Sequence, residues 1–138
     1  MNKTARLGLT WDQEYKPYVE QIRESLKGFG VQGTPTSTEL FLLFLAFGFK
    51  FGVKRDVPAR KTDGPRFEYI NDDQKAMIKS VSLAVSGQSD SLLEEDSLYD
   101  LAESLAAGGL MMLADAYNKN ADFPTWLKRK LAEFTKST

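Results

Sequence analysis

Apolar residues recur along this chain at helical spacing, and one stretch departs from the alternation with polar ones. From Leu40 to Phe49, ten consecutive residues carry no charge and no hydrogen-bonding side chain, and four of them are phenylalanine. A helix apolar on every side must be surrounded. Crossing a bilayer takes about 18 to 20 apolar residues, and Lys50 interrupts this run too early. The pattern predicts a central buried helix, with Ser37 as its cap and Glu39 set against the positive end of its dipole. Gly48 inside it predicts close passage of another backbone. The phenylalanines read as core packing, with an aromatic ligand box as the alternative.

The flanking segments follow the same logic. Tyr15, Val19, Ile22, Leu26 and Phe29 fall on one face of a helix that starts between Thr10 and Lys16. Thr10 and Gln13 have the spacing of a capping box, and Gly28 and Gly30 end the helix. Asn71 and Gln74 announce a helix reaching Ser86, with Met77, Ile78, Val81, Ala84 and Val85 toward the core. After a break at Gly87 to Ser91 and a short helical turn at Ser91 to Glu95, Asp96 or Ser97 caps a long helix. It carries Leu98, Leu101, Ala102, Leu105, Met112, Leu113 and Ala116 on one side. Its small residues Ala106 to Gly109 imply a tight crossing or a kink. Asp122 and Pro124 open a last helix, with Trp126, Leu127, Leu131 and Phe134 opposite Lys128, Arg129 and Lys130. Arg66 to Ile70 alternates in polarity and leaves room for a strand paired with residues 53–57. The expectation is one all-α domain over 1–138, five to six helices around a central apolar helix. Residues 1–9 form a flexible start, and a short β-hairpin near residues 53–70 is allowed.

Composition narrows the chemistry. The 138 residues include no cysteine and no histidine, which removes disulfides, thiolate nucleophiles, histidine triads and histidine-based metal sites. Only carboxylates, hydroxyls, Lys and Tyr remain, so an enzyme is the less favoured reading and no cofactor is expected. No signal peptide or membrane span is evident, which makes the cytoplasm the default location and a membrane no partner. The net charge of −1 argues against generic nucleic-acid binding.

Charge is nevertheless unevenly distributed. Lys50, Lys54, Arg55, Arg60, Lys61 and Arg66 stand against only Asp56 and Asp63. In this loop Lys54, Arg55, Arg60, Lys61 and Arg66 are candidates for phosphate or partner contacts, with Phe67 or Tyr69 to stack on a base. A solvated loop paired with acids elsewhere is the alternative. Further on, Asp96, Asp100 and Glu103 recur at helical spacing and form a candidate acidic contact surface. As alternatives, they could bind a magnesium ion for nuclease chemistry, a reading weakened by the lack of a lysine beside them, or mate with the basic loop. Trp126 with Lys128 to Lys130 is a candidate docking helix, set against plain core packing.

Three stretches together resemble a known family: FLLFLAFGFKFGVKR at 41–55, FEYINDDQKAMIKSVSLA at 67–84 and YDLAESLAAGGLMMLADAY at 99–117. They resemble the small accessory proteins of bacterial DNA phosphorothioation systems, the Dnd system-associated protein 4 type. Gly48 to Lys50, Arg66 to Asp72 and Gly108-Gly109 carry most of the likeness. The resemblance implies a role in DNA modification or phage defence within a multiprotein assembly; with the missing catalytic inventory and the opposed charge clusters, the leading expectation is a non-enzymatic accessory protein that binds protein components of that DNA-processing system. It carries over no catalytic residues. Direct DNA binding through the basic loop and self-association remain open beside it.

Overall fold

The computed structural model describes residues 6–27, 33–58, 61–87 and 94–135. Within them the chain forms five α-helices: α1 (Pro17–Ser25), α2 (Ser37–Phe51), α3 (Asp72–Ser86), α4 (Glu95–Lys119) and α5 (Phe123–Thr135). The all-α expectation holds, and no described helix is long and apolar enough to cross a membrane.

The helix ends explain the boundaries. Thr36, one residue before the expected cap, accepts from the Glu39 amide at 3.1 Å, while the Glu39 carboxylate accepts from the Thr36 amide at 2.8 Å. This reciprocal box satisfies two otherwise orphaned donors. Asn71 and Gln74 form the same box on α3 as expected. Gly52 and Gly87, both in the left-handed region, end α2 and α3. The α4 start differs from expectation: Glu94 takes the cap position without a side-chain bond, and Asp96 and Ser97 lie inside the helix. Asp122 caps α5 through the Thr125 amide at 3.2 Å. Gly28 and Gly30, the break at Gly87 to Ser91 beyond Gly87, and most of the expected turn at Ser91 to Glu95 lie outside the described residues.

α2 and α4 cross with their backbones in contact. A Cβ on Gly109 would overlap the Phe44 carbonyl, one on Gly48 the Leu105 carbonyl, and one on Gly108 the Val53 carbonyl. Small residues at a crossing let helices approach beyond the usual 8–10 Å interaxial distance. Phe41, Phe44 and Phe47 are buried around this crossing, with Trp11 tilted against Phe41 and edge-to-face with Phe44. Trp126 and Phe134 bring α5 onto Phe47. α2 is therefore covered on one side only: Phe49 and Lys50 are exposed, and α4 shares the centre of the fold.

On α3 the core face is Ile78 and Ser82, with Val81 and Val85 half-buried, whereas Met77 and Ala84 face solvent. Ser82 tolerates full burial because its hydroxyl donates to the Leu98 carbonyl at 2.7 Å.

Two expectations near the amino-terminal side are corrected. The described residues of 53–70 form no hairpin: Phe67–Tyr69 is a 3-10 turn, and Arg66 bridges antiparallel to Gly8 instead. The backbone at Arg55 donates to the Ser104 carbonyl of α4 at 3.0 Å, so this stretch is spent on α4. Residues 6–9, placed in the flexible start, are packed: Leu9 is fully buried, its amide donating to the Pro65 carbonyl at 2.8 Å. Residues 1–5 lie outside the described chain.

Candidate functional site

Residues 6–12 form a strap held between the loop at 61–67 and the first half of α4. Thr10 does not cap α1. Its hydroxyl accepts from the Lys61 and Thr62 amides at 3.1 and 3.2 Å, and its own amide donates to Glu103 Oε2 at 2.7 Å. Gln13 likewise binds the Trp11 carbonyl at 2.7 Å and Asp63 at 2.9 Å, not Thr10. α1 starts later, at Pro17, whose missing N–H is harmless in a first turn.

At the head of the strap, Arg6 is inserted among the three carboxylates of α4. Nη1 donates to Asp100 Oδ1 at 2.8 Å and to the Asp96 carbonyl at 3.2 Å. Nη2 sits 2.6 Å from Glu103 Oε2, a charge contact whose N–H direction falls short of a hydrogen bond. The helical spacing thus does bring Asp96, Asp100 and Glu103 to one face. Asp96 and Asp100 keep 44% and 55% side-chain exposure, while Glu103 and Arg6 keep 4% and 3%, so the buried pair anchors the strap beside the two more exposed acids.

The electrostatics follow from burial. Removal from water pushes the Glu103 carboxyl up, against the pull of Arg6 and the Thr10 amide. The same burial works to lower the Arg6 pKa, but Glu103 and Asp100 outweigh it and hold the guanidinium charged. The two directions compete within one pair. The geometry decides for an ion pair, because Glu103 receives both the guanidinium and a backbone N–H. Among the described residues no group of three or more acidic side chains is arranged to hold a metal ion.

Arg55 occupies a second clamp. Nε donates to Asp12 Oδ2 and Nη2 to Glu14 Oε1, each at 2.6 Å, and the guanidinium lies 4.8 Å from the centre of the Tyr15 ring. The Asp12 bond is the main reason its pKa rises above the ordinary value. A third cluster centres on Asp63, which accepts from the Trp11 amide at 3.0 Å and pairs with Lys16 at 2.9 Å.

The described basic-loop candidates have different surroundings. Lys54 and Lys61 are exposed, Arg66 is exposed and pairs with Glu68 at 2.8 Å, Arg55 is engaged internally, and Arg60 lies outside the described residues. Among the described residues, the cation that meets Asp100 and Glu103 is Arg6 of the strap. An open cleft of about 570 Å³ lies alongside, lined by Asp56, Val57, Pro58, Asp100, Glu103 and Ser104. On α5, Lys128 and Arg129 are exposed, and Trp126 packs on Phe123 and Phe47.

Arg6, Asp12 and Glu14 carry no periodic signal, which is why sequence reasoning missed them. Only the surplus of acids at 90–103 without a local cation hints that a partner must arrive from elsewhere. No family model, no curated protein and no solved structure matches the chain.

Proposed function

We propose that this chain is a non-enzymatic accessory protein of a bacterial DNA-modification or phage-defence system, acting through protein contacts. The insertion of Arg6 among Asp96, Asp100 and Glu103 carries the molecular half of this reading. A carboxylate set that already holds a buried guanidinium at 2.6 and 2.8 Å has little capacity left for a divalent cation. Arg55, the centre of the basic loop, is committed to Asp12 and Glu14 in the same way. What the surface offers instead are large apolar side chains, Leu7, Phe49, Tyr69 and Met77, each about half-exposed or more. The system-level half rests on the resemblance of residues 41–55, 67–84 and 99–117.

The test is affinity capture from cells expressing the chain together with the products of its neighbouring genes. Specific, stoichiometric recovery of such a product is expected. Recovery of none, from a folded bait, overturns the reading.

A second reading, direct DNA binding, keeps the exposed Lys54, Lys61 and Arg66. Fluorescence anisotropy on plain and phosphorothioated duplexes at two salt concentrations tests it. With three phosphates neutralised, log K should fall with log salt at a slope of about −3. Affinity unchanged on replacing Lys54 and Lys61 by Ala removes this reading.

A further inference from the structure

The cleft between α1 and α4 has a composition that, apart from Tyr15 under Arg55, no role above uses. It encloses about 460 Å³ and is lined by Tyr15, Tyr18, Met111, Met112, Asp115 and Asn118. All four large side chains are half-buried. Their rings and thioethers make a soft, polarizable wall. Its lip carries acceptors beside the tyrosine hydroxyls: Asn118 Nδ2 donates to the Tyr18 hydroxyl at 2.9 Å, which leaves the Asn118 carbonyl oxygen, and Asp115 contributes a carboxylate.

We propose that this cleft receives an arginine or lysine side chain from a partner protein. The assignment rests on the protein-contact reading above and names the chemistry of that contact. Three observations carry it. Aromatic faces and carboxylates together favour a cation with an apolar stem, because the stem packs on the wall while the charge meets the acceptors. The molecule contains its own precedent, since the Arg55 guanidinium lies 4.8 Å over the Tyr15 ring and Nη1 approaches Met111 Sδ at 3.7 Å. The neighbourhood also carries one more negative charge than positive: Arg55 faces two carboxylates, Asp12 and Glu14, and Lys119 faces Asp115. Asp115 pairs with Lys119 at 3.1 Å, but both side chains are more than half exposed, and such a surface pair exchanges at little cost.

The probe is a tetra-arginine peptide with blocked ends, titrated into the full chain carrying 13C-labelled methionine methyl groups. Met77, exposed on α3, is the internal reference for unspecific binding. Saturable shifts of Met111 and Met112 with Met77 unmoved are expected. The isosteric citrulline peptide should produce none, and Asp115→Asn should weaken binding at least tenfold. Lys119→Met, which releases Asp115, should tighten it. Equal shifts at Met77, equal binding of the citrulline peptide, or an unchanged affinity in Asp115→Asn overturns the assignment. The titration needs no captured partner. Peptide binding with no captured gene product therefore refutes the accessory role alone, and partner capture without saturable peptide binding refutes the cleft alone.

Discussion

Arg6 and Glu103 form the pair on which the strap depends. Removing one member of a buried ion pair leaves an uncompensated charge, at a cost of about 3–5 kcal/mol. Glu103→Ala also strips the Thr10 amide of its acceptor, so it should lie at the upper end of that range in urea unfolding. The Arg6→Ala loss should be smaller than the sum implies when both are combined, and a double-mutant cycle reads that coupling directly. The pH dependence has two signs. Burial works to raise Asp63, but Gln13, Lys16 and the Trp11 amide outweigh it and hold its folded pKa below the ordinary value. Its stabilisation is present above the unfolded pKa and is lost as pH falls through the folded one. Glu103 is raised, so its contribution is present below the unfolded pKa and lost as pH rises through the folded one. Asp63→Asn should therefore flatten the acid limb of the stability curve below about pH 4, and Glu103→Gln should steepen it. Thermal unfolding between pH 2.5 and 6, within the ordinary carboxylate range, checks both.

At the scale of the elements, the α2–α4 crossing depends on absent side chains. Alanine is the better helix former than glycine by about 1 kcal/mol, yet a Cβ at Gly109 would sit on the Phe44 carbonyl. Gly109→Ala should therefore destabilise, by about 1–3 kcal/mol as overpacking does, and the sign of the change in urea midpoint is the test. This crossing was legible in the sequence, because Gly48 and the Ala106 to Gly109 run have no other use inside helices. The Asn71–Gln74 box was legible for a similar reason: both of its bonds are local. Thr10 and Gln13 show the same spacing and form no box, since Asp63 and the Lys61 and Thr62 amides compete for them across about 50 residues of sequence. Pairings of that reach leave no periodic trace. The apparent strand at Arg66 to Ile70 fails on the same ground, its hydrogen-bonding edge being taken by residues 7–9.

For the molecule as a whole, part of the charge that looked like two opposed surfaces is internal, in the pairs of Arg6 with Glu103 and of Arg55 with Asp12. The spacing of Asp96, Asp100 and Glu103 located a real cluster, and its partner could not be read because Arg6 lies 94 residues from Asp100. The same long reach has a consequence for the order of events during synthesis. Translation runs at about 5–20 residues per second, so Arg6, Leu9 and Trp11 leave the ribosome roughly 5–20 s before the half of α4 that receives them. For that interval the strap has only its earlier neighbours, Phe41 and Phe44 against Trp11 and Pro65 against Leu9, and Arg6 and the Thr10 amide lack Glu103. Nascent chains stalled before and after residue 103 should thus differ in protease resistance at the strap, and a chaperone that shields apolar segments would meet this one first.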